Sequence, residues 1–339
     1  MRFIFRLFAT SLLTLTVSLA FGGVAVWGNP QPWKLSYVYR FKTQNGGRSP
    51  TSALVADAQG ALYGATTNGG GQTDNGTIYK LTPSGNGYAF HVIHAFHSGD
   101  GQFPNGPLIV DKTGAVFGTT SYGGLHATPG DPGFGLVFKL TPSPHGYIES
   151  FLHSFNGGDG RNPSGGLVMD ATGSLYGVTA HGGGAGSDGT AYKLTPTPTG
   201  YAETVLHRFA LGREGHRPFG ELALDRFGSI YGVTNGFSVN ESIRGTVYKL
   251  TPVANGYSER TLYGFVDPQR GASPGGSVII DSTGALYGTT TYGGADNVGV
   301  VYKLNPTPSG YAETVIFSFA KTGTSGELPM STLMMDASG

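Results

Sequence analysis

The chain has 339 residues and carries 21 Lys and Arg against 21 Asp and Glu, so no charge excess directs it to nucleic acid or to an acidic membrane surface. It has no cysteine, which excludes disulfides, thiolate catalysis and cysteine-based zinc sites. Glycine is 58 of the residues, well above the usual share of about 7 %. With 20 Phe and 18 Tyr able to bury a core, that load reads as many short strands joined by tight turns, not as disorder.

The first segment carries Arg2 and Arg6, then an apolar run from Leu7 to Ala20 and small residues at Ser18, Ala20, Gly23 and Ala25. This is the pattern of a signal peptide over residues 1–25, followed by a linker over 26–33 and a repeat domain over 34–339. The apolar run is short for a bilayer span of ~20 residues. The expectation is a protein secreted or held at the cell surface, monomeric, with no membrane insertion once the leader is cut.

From residue 34 onward the sequence repeats itself with a period of roughly 55 residues. An Asp-x-x-Gly turn recurs at Asp57, Asp111, Asp170, Asp225, Asp281 and Asp336. An aromatic-Gly pair follows five of them, at Tyr63, Phe117, Tyr176, Tyr231 and Tyr287. An aromatic-Lys-Leu triplet comes next, starting at Tyr79, Phe138, Tyr192, Tyr248 and Tyr302. Each copy closes on a Phe at 96, 155, 209, 265 or 319, with an additional closing copy at Phe41, and a Pro stands seven residues before every turn Asp. Alternation between these anchors gives four strands per copy, here called a to d in chain order, exemplified by 165–170, 174–179, 189–195 and 201–209. Four short antiparallel strands at this period predict an all-β fold, a β-propeller of four-stranded antiparallel blades. A β-solenoid, with coils of ~20–30 residues, is the rival repeat fold. The chain opens on a lone strand d (34–41) and stops after a lone strand a (331–339), so five full repeats accompany a split, incomplete sixth blade, and a truncated C-terminus is expected.

The spacings sort by face. Asp to the aromatic-Gly pair, and the c-strand aromatic to the following Gly-Tyr pair, never vary. The b–c and d–a connections do, so they form the varied face on which a ligand is expected. That face collects the carboxylates Asp74, Asp131, Asp188, Glu241 and Asp296 from b–c loops and Asp100 and Asp159 from d–a loops. These seven are the candidate ligand face. They could bind Ca²⁺ or sugar hydroxyls, although Asp beside Asn or Gly is also ordinary turn chemistry.

Other residues read as structural. The six turn aspartates cap backbone amides. His94, His153 and His207 share a strand position occupied elsewhere by Tyr39, Tyr263 and Phe317, which marks a packing site. His91 and His97 lie ~20 Å apart on an extended strand and cannot chelate together. The recurrent Lys of strand c and Glu of strand d, such as Lys193 and Glu203, are expected to pair across the hairpin. No nucleophile elbow, phosphate-binding loop or His-Glu-x-x-His run occurs. Only the fourth copy, with Arg213, Glu214, His216, Arg217 and Glu221, concentrates polar groups the others lack.

The runs Gly-Ser-Leu-Tyr-Gly-Val-Thr from Gly173, Gly-Thr-Ala-Tyr-Lys-Leu-Thr-Pro from Gly189 and Gly-Gly-Asp-Gly at 157–160 resemble the GloVer tandem-repeat family of bacterial surface proteins, the choice-of-anchor group. The resemblance covers 34–339 and implies an exported, propeller-like protein tethered through a separate C-terminal anchor. It implies no reaction and no catalytic residue. The leading expectation is therefore an extracellular, non-enzymatic propeller with a binding or scaffold role toward a glycan, protein or surface, with no cofactor beyond a Ca²⁺ that its acidic loops could hold. The alternative is a secreted propeller enzyme of lyase, glycosidase or lactonase type with a metal in the central channel.

Overall fold

The computed structural model of the chain describes residues 3–4, 37–41, 46–210, 215–237, 243–321 and 327–335. These residues form five antiparallel blades and contain no helical element. The first blade runs outward through Arg48–Pro50 with Val55–Ala56, Leu62–Asn68, Thr77–Ser84 and Gly87–Ala95. The second comprises Gln102–Val110, Val116–Tyr122, Leu136–Ser143 and Gly146–Ser154. The third to fifth repeat the order and end on the d strands Gly200–Ala210, Gly256–Gly264 and Gly310–Ser318. Of the expected sixth blade the described residues contain Met334–Met335, paired with Phe3–Ile4. Apart from those two residues, the expected signal peptide and linker lie outside the described residues. Of the expected first strand d, residues 37–41 are described and are not extended into a strand.

The Asp-x-x-Gly turns behave as read. Asp170 Oδ1 accepts from the amides of Thr172 (2.8 Å) and Ser174 (3.0 Å), and its Oδ2 accepts from the Tyr176 hydroxyl at 2.9 Å. Burial pushes the Asp170 pKa up, but hydrogen bonds led by those of Thr172 and Tyr176 outweigh it and hold the carboxyl below its ordinary value. The turn thus fixes the aromatic of strand b to its own start. The glycine after that aromatic is a matter of space: a Cβ on Gly64 would stand 2.4 Å from the Tyr79 hydroxyl, because the c-strand ring crosses strand b there.

Blades are joined by apolar seams. The Phe that closes each strand d packs against the c-strand aromatic of the next blade: Phe96 on Phe138 at 5.3 Å, Phe155 on Tyr192 at 5.0 Å, Phe209 on Tyr248 at 4.8 Å and Phe265 on Tyr302 at 5.1 Å between centroids. Phe41 does the same for the first blade, 5.2 Å from Tyr79. The phenylalanines at 96, 155, 209 and 265 are fully buried, each worth roughly 1.5–3 kcal/mol. The repeat proline closes the inner end of the seam. Pro218 of the fourth blade stands so close to Gly189 of the third that a Cβ there would be 2.4 Å from its Cδ. The residue before that proline, Arg217, has φ 55° and donates its amide to the Asp188 carbonyl at 2.9 Å.

Strand d departs from the expected register. The c–d hairpins close on two-residue turns, and Thr195 faces Ala202. The one-residue difference sets Glu203 opposite Leu194 and Lys193 opposite Thr204, so the expected Lys–Glu cross-strand pair does not form. Lys193 instead lies over the Tyr176 ring, 5.2 Å from its centroid. Every full blade also carries a β-bulge in strand d, at Ile93, Leu152, Leu206, Leu262 or Ile316, just before the position of the recurrent histidine.

Gly64→Ala should lower stability by roughly 1–3 kcal/mol through overpacking against Tyr79. Gly87→Ala, in the same blade with nothing within 4 Å of its Cβ position, should stay within about 0.5 kcal/mol. Chemical denaturation of the two variants checks the contrast.

Candidate metal centres between the blades

Glu149 and His153 are four residues apart on one strand d, so in a regular strand both would face the same neighbouring blade. The bulge at Leu152 inserts one residue between them and turns them to opposite faces. Glu149 then looks back to the first blade and His153 forward to the third. The same device acts at Leu206 for Glu203.

Two three-donor clusters result. In the first, His94 from the first blade meets Asp100 from the following d–a turn and Glu149 from the second blade. His94 Nε2 is 3.6 Å from Asp100 Oδ2 and 3.7 Å from Glu149 Oε2. Neither His94 Nε2 nor Glu149 Oε1 has a hydrogen-bond partner, although both atoms are buried. His94 is braced edge-on by Phe96 at 4.6 Å, and Asp100 Oδ1 is held by the His97 amide at 2.5 Å. Burial, reinforced by the nearby Asp100 charge, pushes the Glu149 pKa up to about 8.

In the second, His153, Asp159 and Glu203 occupy the equivalent places one seam further on. His153 Nε2 and Asp159 Oδ2 are 3.0 Å apart, Asn156 donates to both Asp159 oxygens, and Glu203 Oε1 is buried without a partner. Burial raises the Glu203 pKa as well. In each cluster all three donor atoms lie within 4.8 Å of one another. Divalent ions bound at ~2.0–2.2 Å by imidazole and carboxylate require donors about 3–3.7 Å apart. The clusters could therefore hold a divalent cation; Asp100 and Asp159 come from the expected acidic loops, and the donor set is not specific to the expected Ca²⁺. The reading of His94 and His153 as packing residues is corrected: the ring does pack on a Phe, but its Nε2 meets carboxylates.

The other predicted residues are dispersed. Asp74 accepts from the Gly69 amide at 2.6 Å and pairs with Arg48, which closes its own loop. Asp131 accepts from the Gly133 amide at 3.0 Å. Asp296 accepts from the Lys321 amide at 3.1 Å. Glu241, Arg213 and Glu214 lie outside the described residues. Asp188, also among the predicted residues, is a hub that gathers His216 and Arg217 of the fourth copy: His181 and His216 each approach it at 2.8 Å and Arg217 at 3.2 Å.

Two hollows adjoin these elements. The central channel has a volume of about 860 Å³ and is walled by segments of the innermost strands. Glu221 is the one titratable residue among its described lining, so a metal in the channel, as the enzyme alternative had it, finds one carboxylate there. The second hollow is a cleft of about 590 Å³ on the varied face, formed by Ser98, Gly99 and Gln102 of the turn that carries Asp100 and by the long loop 127–132 of the second blade.

The sequence matches the Gloeobacter/Verrucomicrobia repeat family over residues 125–339. No curated protein matches it in sequence. Among solved structures, one described as an oxidoreductase of glucose dehydrogenase type from Thermus thermophilus is similar over 81 % of this chain and 86 % of its own, at 15 % identity and a TM-score of 0.50. A hypothetical selenium-binding protein from Sulfolobus tokodaii is similar over 86 % and 68 %, at 10 % identity and a TM-score of 0.52. One described as a 6-phosphogluconolactonase from Bacteroides fragilis is similar over 89 % and 90 %, at 12 % identity and a TM-score of 0.44. Identities at this level speak to the fold alone. The expectation of a non-enzymatic scaffold is nevertheless corrected: it rested on the lack of any converging polar cluster, and two such clusters are formed.

His94→Ala and Glu149→Gln should each weaken Zn²⁺ or Mn²⁺ binding at the first seam by at least the roughly 10–100-fold that loss of an outer-shell partner costs. Competition titration against a chelating dye measures it, and unchanged affinity in both variants would remove the first cluster as a metal centre.

Proposed function

This chain belongs to the Gloeobacter/Verrucomicrobia repeat family, and from the geometry of its seams we propose that its propeller is a metal-dependent enzyme acting outside the cell, with the His94–Asp100–Glu149 cluster as its centre. The observation that carries this reading is the joining of three unpaired or weakly paired donors to a cleft through one turn: residues 97–101 hold Asp100 for the cluster and wall the cleft with Ser98 and Gly99. The second cluster has no such cleft among the hollows described.

One imidazole and two carboxylates suit a transition-metal ion such as Zn²⁺ or Mn²⁺, whereas Ca²⁺ takes oxygen ligands. A cation held there would supply Lewis-acid polarisation of a substrate oxygen and an acidified water. The protein's own part is positional. Phe96 and the His97 amide fix His94 and Asp100, and Glu149, whose pKa burial pushes up to about 8, must give up that proton for its carboxylate to hold the cation. The cleft offers Gln102, Thr128 and the carboxylate of Asp131 among prolines and glycines. Such a lining matches a neutral, hydroxyl-bearing substrate, and the reaction class it suits best is hydrolysis of a sugar-type ester, lactone or glycoside. Export follows from the leader-like residues 1–25.

The purified full chain, assayed on chromogenic lactones, esters and glycosides, should lose activity to a chelator and regain it with Zn²⁺ or Mn²⁺. His94→Ala should cut kcat/KM by at least about 100-fold, while His153→Ala should leave most of it. No turnover of any class by metal-loaded protein, or turnover indifferent to His94→Ala, would overturn the proposal.

A further inference from the structure

Among the described residues the outer seam carries three recurring positions between successive blades, and their residue types change together. The forward-facing residue of strand d, the residue four before the repeat proline, and the backward-facing residue of the next strand d are His94, Asp100 and Glu149 at one seam and His153, Asp159 and Glu203 at the next. At the seam between the fourth and fifth blades they are Tyr263, Arg270 and Glu313. There Arg270 Nε lies 2.6 Å from Glu313 Oε2, its Nη2 donates to the Glu313 carbonyl at 2.6 Å, and the Tyr263 hydroxyl donates to Oε2 at 2.8 Å. The Glu313 side chain is fully buried. At the seam before the first blade the set is Tyr39, Gly46 and Phe90, and the rings of Tyr39 and Phe90 stack at 4.4 Å with planes 5° apart. Among the described residues, the glutamate is therefore present where a cation can be seated and is replaced by a ring where the loop residue is glycine.

We propose that this station is a cation socket that clamps neighbouring blades, filled by the guanidinium of Arg270 at one seam and by a divalent transition-metal ion at the His153–Asp159–Glu203 seam. The guanidinium at the fourth seam occupies the place toward which His153, Asp159 and Glu203 converge at the second. At the second seam Asp159 replaces the arginine, so two carboxylates meet with no built-in cation between them. Arg208 approaches Glu203 from its own strand, but its Nε is committed to the Gly183 carbonyl at 2.8 Å. His153 adds a nitrogen ligand where Tyr263 donates a hydrogen bond. The role is structural: a metal here joins strand d of one blade to strand d of the next, at the rim, in a chain with no cysteine for covalent staples. It does not depend on catalysis at the first seam.

The test is an exchange of sockets in the full chain. His153→Tyr with Asp159→Arg should fold, lose about one equivalent of bound Zn²⁺ in equilibrium dialysis, and keep the activity of the parent. In the reverse exchange, Tyr263→His with Arg270→Asp should gain about one equivalent, and its melting temperature should rise with Zn²⁺ and fall with a chelator. If the first exchange leaves the Zn²⁺ content unchanged, the socket is overturned. It is overturned equally if the parent's melting temperature is the same with Zn²⁺ and with chelator, since a clamp must stabilise the folded chain. Should the reverse exchange not fold, the first exchange still decides. Loss of activity together with loss of one equivalent of metal would count against confining catalysis to the first seam and leave the clamp standing.

Discussion

One extra residue in the outermost strand of each blade sets the chemistry of this protein. Strand d must serve two neighbours. Its first half packs against the preceding blade and its second half against the following one, yet side chains two or four apart on a regular strand share a face. The bulge at Ile93, Leu152, Leu206, Leu262 or Ile316 resolves the conflict by reversing the alternation midway. Before it, the glutamate position looks back. After it, the His and the closing Phe look forward, and Phe155 reaches the ring of Tyr192. The apolar seam and the polar station above it are two products of the same irregularity.

Because the closing Phe is fully buried at 96, 155, 209 and 265, the distance between successive d strands is fixed there by ring packing and not by the charges at the rim. A carboxylate carried on such a frame cannot swing away from an unfavourable neighbour. Glu149 is held in this way, and burial, reinforced by the Asp100 charge beside it, pushes its pKa up to about 8. Arg270 shows the other solution: with a guanidinium in the same place, Glu313 is fully buried and hydrogen-bonded. A frame set by apolar packing and a station that varies from seam to seam allow the repeat to acquire or lose a cation site without disturbing the blade.

Much of the fold was legible in the sequence because its signals are local and repeated. Asp170 with Gly173, Tyr176 with Gly177, and the proline seven residues before each turn announce strand ends and crossing rings that the structure contains. Of the candidate metal centres only Asp100 and Asp159 were legible; the rest was not, for three physical reasons. The c–d hairpin register differs by one residue from the simple pairing, which moved Glu203 away from Lys193 and onto the seam. The bulges cannot be read from alternation, since Leu152 is an ordinary apolar residue in an apolar stretch. The partners also lie on different copies, so His94 and Glu149 are a full repeat apart in sequence. Comparing the three seam positions across copies, with Arg270 standing where Asp100 and Asp159 stand, was the one signal that could have found them.

The most direct measurement is anomalous diffraction from crystals of the full chain grown with Zn²⁺, recorded at the zinc edge. Discrete peaks should appear at the His94–Asp100–Glu149 and His153–Asp159–Glu203 seams, within about 2.0–2.2 Å of the histidine Nε2, and none should appear beside Arg270 and Glu313. Peaks confined to the central channel, or seams without bound zinc at saturating concentration, would contradict the assignment of the outer seam as the metal-holding element of this propeller.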